Sequence, residues 1–203
     1  MAGSGQHSSK SMNHGTPVIV AEAARYTLGA IDFDPASDAY WNHHVIKASR
    51  FCDGGEHGNG LEADYTGRGI INPPGDKPGT LPPMFWDRLT GYWTAGSTAA
   101  VWIGFSLEQL PRLQIPAPAL PRGPKQYPGN AIHPLRPEFL RCFPSSRLDF
   151  LAPGATFDDL PVPQTQPGHG NYIVFLPPLA YPGEAAQMRV RFVEAFSTIG
   201  AIL

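Results

Sequence analysis

Cysteine is nearly missing from this chain: Cys52 and Cys142 are the only two in 203 residues. That excludes a disulfide framework and any metal site built on paired cysteines. Free thiols in a cytoplasmic protein are the simplest reading. Long apolar runs are missing too. No stretch reaches the roughly 18 residues that a membrane span needs. Residues 1–15 are small and polar, without the apolar segment of a secretory signal. The histidines show no ligand spacing. His43-His44 have no acidic or cysteine partner at the right separation, and His57, His133 and His169 fall in loop sequence, so no metal is expected. A strong net charge is also absent. The formal balance is −2, which gives no overall attraction to a polyanion.

Proline and glycine are abundant, with 23 and 22 residues. Hydrophobic residues make up 42%, enough for one compact domain over residues 16–203 behind a flexible tail at 1–15. Nine prolines between 111 and 144 exclude a long helix or a central strand there, and predict a Pro-rich insertion at about 111–144. Charge is uneven along the chain. Residues 112–147 hold six basic side chains, Arg112, Arg122, Lys125, Arg136, Arg141 and Arg147, against the single acid Glu138. Residues 1–64 hold eight acids against four basic residues. The acidic part suits a cationic cofactor, and the basic part a phosphate backbone.

Periodicity supplies the elements. Thr16-Pro17 opens a helix that Gly29 ends. Residues 30–34 read as a strand. Ser37 or Asp38 caps a second helix running to about Ser49. Residues 51–64 are Gly-rich acidic loop, and 69–72 a strand. A helix starting at Pro82 or Pro83 carries Met84, Phe85, Trp86, Leu89 and Tyr92. Residues 98–105 form a buried strand, 147–150 and 172–176 further strands, and 183–197 an amphipathic helix. Alternating strand and helix predicts an α/β fold, a mostly parallel sheet with helices on both faces, whose ligands bind beyond the carboxyl ends of the strands.

Two turns fall at that edge. One is Asp34-Pro35-Ala36-Ser37. The other is Asn72-Pro73-Pro74, after Ile70-Ile71. An Asn amide oxygen and the fixed carbonyl of a following proline can each accept a proton of a planar NH2 group. The amine is then free to present its lone pair to a methyl donor. The expected chemistry is methyl transfer to an amino group, adenine N6 above all.

At these residues the chain resembles the phage-type DNA N6-adenine methyltransferases, the Dam-like family of phages and prophages. The likeness runs through Thr16-Pro17, Ala23-Ala24-Arg25, Leu28-Gly29, Ile31-Asp32-Phe33-Asp34-Pro35-Ala36-Ser37, Asn42, Lys47-Ala48, Arg50-Phe51, Gly60-Leu61, Gly67-Arg68 and Ile71-Asn72-Pro73-Pro74-Gly75. It continues at Phe85-Trp86, Gly104-Phe105-Ser106-Leu107, 144–150 and 192–200. The resemblance implies a Rossmann-like fold using S-adenosylmethionine, a cytoplasmic protein of a bacterial host, and double-stranded DNA from which the target adenine is flipped. Carried over, Thr16, Pro17, Asp32, Asp34, Pro35, Ala36 and Ser37 bind the cofactor. Asn72, Pro73 and Pro74 are catalytic. Gly75, Phe85, Trp86, Arg136, Arg141 and Arg147 meet the substrate.

Two features depart from the family pattern. Gly75 replaces the aromatic residue that usually follows Asn-Pro-Pro and stacks on the base, and no Gly-x-Gly turn follows the first strand. Two other readings therefore stand beside DNA methylation. One is transfer to a different amine or amide, in RNA or on a protein glutamine. The other is a relative that binds cofactor or DNA without turnover.

Overall fold

The computed structural model describes residues 15–75, 81–104, 106–107, 110, 135–136, 138–164 and 170–203. Arg112, Arg122, Lys125, the tail at 1–14 and the proline-dense segment 111–134 lie outside them.

The first helix, α1, spans Val18–Leu28 and buries Val20, Ala21, Ala24 and Leu28, the i, i+3, i+4 spacing of one helical face. Pro17, not Thr16, is the residue at its cap, with φ −55° and ψ 137° and no side-chain capping bond. The reason is upstream. Gly15 exchanges two backbone hydrogen bonds with Leu151, at 2.9 and 2.8 Å. The chain is therefore extended as it reaches Pro17, whose carbonyl accepts from the amides of Val20 and Ala21. Gly29 closes the helix at φ 82°, a left-handed position that glycine takes without cost.

The described residues form nine strands in chain order: β1 Phe33–Asp34, β2 Arg50–Phe51, β3 Gly67–Ile71, β4 Thr98–Gly104, β5 Leu140–Pro144, β6 Leu151–Ala152, β7 Val162–Pro163, β8 Tyr172–Leu176 and β9 Gly200–Ile202. Seven make one sheet in the order β2-β1-β3-β4-β8-β5-β9, and β6 pairs with β7 as a hairpin. The pairings β1–β2, β1–β3 and β3–β4 are parallel, whereas β4–β8, β5–β8 and β5–β9 are antiparallel. The sheet is thus mixed, where the sequence predicts a mostly parallel one. Among the described residues no helix lies between β5 and β8, only the β6–β7 hairpin. β8 therefore comes back in the opposite direction.

Further helices among the described residues are α2, Ala39–Trp41, continued by a π-helical turn over Asn42–Ile46, then α3, Leu81–Thr94, and α4, Pro182–Phe196. Helices cover both sheet faces. One core unites Val20, Ala24 and Leu28 of α1, Trp41, Val45 and Ile46, and Met188, Phe192 and Phe196 of α4 with Ile70, Val101, Ile173 and Phe175 from the sheet. The other packs Phe85, Trp86, Leu89 and Trp93 of α3 on Phe33, Ile71, Trp102, Tyr172 and Val174. All seven β4 residues are buried, which explains the unbroken apolar run of a strand covered on both sides.

Two expectations are corrected by geometry. The second helix stops at Ile46, short of Ser49, and Lys47 turns left-handed at φ 55°. The side chain of Asn42 causes this: its Oδ1 accepts from the Ala48 amide at 2.7 Å and its Nδ2 donates to the Ala48 carbonyl at 3.2 Å. And the segment 111–144 does contain an interior strand. β5 lies between β8 and β9, because Leu140-Arg141-Cys142-Phe143 is free of proline and Pro144 comes only at its last position. Residues 147–150, read as a strand, precede β6 and lie outside it.

Candidate functional site

The site starts from neighbouring strands. β1 and β3 pair in parallel with Phe33 opposite Gly69, so Asp34-Pro35-Ala36-Ser37 and Asn72-Pro73-Pro74-Gly75 leave the sheet side by side at its carboxyl edge. Gly69 makes this pairing close. Its backbone lies under the Phe33 ring, where any Cβ would overlap the aromatic carbons. Pro73 is buried, and Asn72, Pro74 and Gly75 are partly exposed.

Asp34 shapes the first turn. Its Oδ1 accepts from the Ala36 amide at 3.0 Å, an Asx turn. Its backbone carbonyl accepts from the Cys52 amide at 3.0 Å, and the Cys52 carbonyl from the Ser37 amide at 3.0 Å. The turn is clamped to the chain leaving β2. Asp38, not Ser37, caps α2, accepting from the Trp41 amide at 2.8 Å. Asp34 is 3% exposed. Burial disfavours its carboxylate and pushes the pKa up to about 7, against the pull of the Ala36 amide and the Ser37 hydroxyl and with a small push from Asp38.

A cavity of about 220 Å³ opens beside it, lined by Phe33, Asp34, Pro35, Arg50, Phe51, Cys52, His57, Ala63 and Asp64. Its outer wall is the loop after β2. His57 lies against the Phe51 ring at 4.2 Å, and its Nδ1 is 2.7 Å from Asp53 Oδ2. That hydrogen bond, with the amides of Gly55 and His57, holds the Asp53 carboxyl down at about 2. The far end of the loop is fixed by Arg50, which donates to the Asp64 and Thr66 carbonyls, and by Arg88, which donates to the Ala63 carbonyl. Neither Asn72 nor Pro73 lines this cavity; it sits on the β2 side of Asp34.

The other expected residues are dispersed. Asp32 is two positions before Asp34, at the opposite end of the strand. Its carboxylate is held by Arg68: Nε to Oδ2 at 2.9 Å, Nη2 to Oδ1 at 3.1 Å, and the Arg68 amide to Oδ2 at 2.8 Å. These bonds keep its carboxyl below the usual range. Thr16 and Pro17 are buried in front of α1. Phe85 and Trp86 are 5% and 0% exposed and belong to the core beneath α3. Of the basic group, Arg147 follows β5 at the carboxyl edge. Arg136 precedes β5 at the other edge, with its guanidinium 5.1 Å from the Trp93 ring, and Arg141 Nη2 reaches back to the Arg136 carbonyl at 2.8 Å. The six cavity residues from Arg50 to Asp64 escaped the sequence reading of the site. β2 is two residues long, too short for any period, and the loop after it reads only as glycine and acid.

Among the described residues, no group of three or more His, Cys, Asp or Glu side chains is arranged for a metal. None of their helices is long and apolar enough to cross a membrane. No protein-family model matches the chain, and no curated protein matches it in sequence.

Proposed function

We propose that this protein is an S-adenosylmethionine-dependent methyltransferase that modifies an exocyclic amine, the N6 group of adenine in double-stranded DNA. The observation that carries the reading is the placement of two turns. A buried carboxyl on β1 and an Asn-Pro-Pro on β3 stand at one edge of two paired parallel strands. Cofactor and amine can then meet across a single strand spacing of about 5 Å. The mixed sheet with helices on both faces is compatible with a Rossmann-like arrangement.

The residues beside Asp34 fit the nucleoside end of such a cofactor. The cavity is lined by Phe33, Phe51 and Asp34, two aromatic residues and an acid of the kind that a nucleoside takes. The Ala36 and Ser37 amides have their own partners in the turn; they shape the site and are not spare donors. Bound S-adenosylmethionine would supply an electrophilic methyl group. Asn72 Oδ1 and the Pro73 carbonyl would accept the two amino protons and aim the nitrogen lone pair. Orientation and preorganised dipoles would supply most of the rate, without a strong base.

Transfer to another amine or amide is the second reading, and one observation favours it. Arg136 and Arg141 lie away from the carboxyl edge, so of the three arginines expected to meet the substrate only Arg147 stands at the edge of the two turns.

The test is direct. DNA from cells expressing the protein is digested to nucleosides and assayed by mass for N6-methyladenine. Labelled methyl transfer to DNA, RNA and protein is compared in parallel. Asn72→Ala is expected to keep cofactor binding and lose transfer by 100-fold or more, on the order of a lost preorganised polar contact. Transfer at the parent rate by that variant would show the assignment to be wrong.

A further inference from the structure

We propose that filling the cavity beside Asp34 expels a proton, so that this site binds its ligand in competition with hydrogen ion. The inference rests on the methyltransferase reading for the identity of the ligand. Its physical basis is local. Asp34 is one of the residues lining the cavity, 3% exposed, with the Ala36 amide on its Oδ1. A ligand that places a hydroxyl, an N–H or a positive charge against that carboxyl favours the carboxylate, and the proton passes to solvent. Burial pushes the Asp34 carboxyl up to about 7, so near neutrality a ligand meets both its protonated and its ionised form.

The surroundings do not supply this charge compensation themselves. On its own turn Asp34 faces the Ser37 hydroxyl and the acidic Asp38. From β2 comes Arg50, which is engaged by Asp64 and the Thr66 carbonyl, and just after it Cys52, whose thiol is pushed up by burial and by the acids near it. From the loop come His57 paired with Asp53, Asp64, and the buried phenol of Tyr65, raised by burial. Arg50 is held by Asp64 and His57 by Asp53, so an arriving donor meets a carboxyl that no side-chain cation among the described residues has paired.

The experiment is titration calorimetry of the full chain with S-adenosylmethionine at pH 6, 7 and 8, in two buffers of different ionisation enthalpy. The association constant is expected to fall about tenfold from pH 8 to pH 6, with about half a proton released per ligand at pH 7. The α-amino group of the ligand titrates near this range. Asp34→Asn keeps that contribution and the Ala36 bond but removes the titrating acid, so the difference between the two proteins isolates the Asp34 share. A carbon-13 NMR titration of the Asp34 carboxyl in the parent protein, with and without ligand, gives the same answer without a variant and is expected to show the midpoint falling on binding. Binding with no difference between parent and Asp34→Asn, or an unmoved carboxyl midpoint, overturns the inference and leaves the methyltransferase reading standing. A pH dependence that persists in Asp34→Asn and disappears in His57→Gln overturns it as well. Absence of binding at every pH removes both.

Discussion

Gly60 rests its backbone against the carbonyl of Pro35. A Cβ at position 60 would overlap that oxygen and approach the Phe85 ring at 2.9 Å. The loop after β2 is therefore seated on the Asp34 turn only because residue 60 has no side chain. Gly60→Ala must lift either the loop or the turn, and it is expected to cost about 1–3 kcal/mol, the usual range for forced overpacking. Gly91 is the contrast. It lies in α3, where a Cβ meets nothing within 4 Å, and Gly91→Ala is expected to stabilise by about 0.4–1 kcal/mol through the unfolded chain. Urea unfolding of the two variants checks both signs.

The buried acid makes stability depend on pH in a direction opposite to that of most carboxylates. The Asp34 pKa rises from 3.8 unfolded to about 7 folded, so between those values the folded protein binds the proton and the unfolded chain does not. Stability then falls as pH rises through this window, by up to about 1.4 kcal/mol for each unit. Asp34→Asn keeps the Ala36 hydrogen bond, removes the slope, and is expected to be more stable than the parent at pH 8. Thermal unfolding from pH 4 to pH 8 shows whether the two curves converge at the acid end.

Asp32 behaves in the ordinary way. Its folded pKa lies below the unfolded value because Arg68 grips both oxygens. The contribution is present above the unfolded pKa and disappears as pH falls through the folded one. Both side chains are about a third exposed, 37% for Arg68 and 31% for Asp32, so water screens the pair. Arg68→Met is expected to cost about 1 kcal/mol at pH 7 and almost nothing near pH 2, with cofactor binding unchanged. A loss of cofactor affinity in this variant would restore Asp32 to the binding site.

These cases show what was legible before the fold was known. Strong local signals were: Gly29 at a helix end, the apolar run of β4, the proline punctuation after β3, and the strand Tyr172–Leu176, which matches its expected bounds. What escaped depends on partners distant in sequence. Arg141, Cys142 and Phe143 form an interior strand only because β8 and β9 flank them, and proline density around them hides that. Asp32 and Asp34 are two residues apart with the same chemistry in sequence. One meets Arg68, 36 residues on, and the other closes a buried turn. Phe85 and Trp86 carry no mark that separates a stacking aromatic from a core one. Their place on the buried face of α3 decides it.

The basic residues near β5 give the sharpest division by position. Arg147 stands at the carboxyl edge, on the side of Asn72, while Arg136 lies over Trp93 at the other edge. If DNA docks across the two turns, Arg147→Ala should weaken non-specific binding and reduce the slope of log K against log salt by about 0.9, the value of one phosphate contact. Arg136→Ala should leave that slope unchanged and lower stability instead, by about 0.5–1 kcal/mol, for loss of its place over the indole. Fluorescence anisotropy of a labelled duplex between 50 and 200 mM salt, a range in which about ten phosphate contacts change affinity by several decades, resolves a change of one contact. An equal slope change in both variants, or none in either, would move the DNA surface away from this edge and favour the smaller amine or amide substrate.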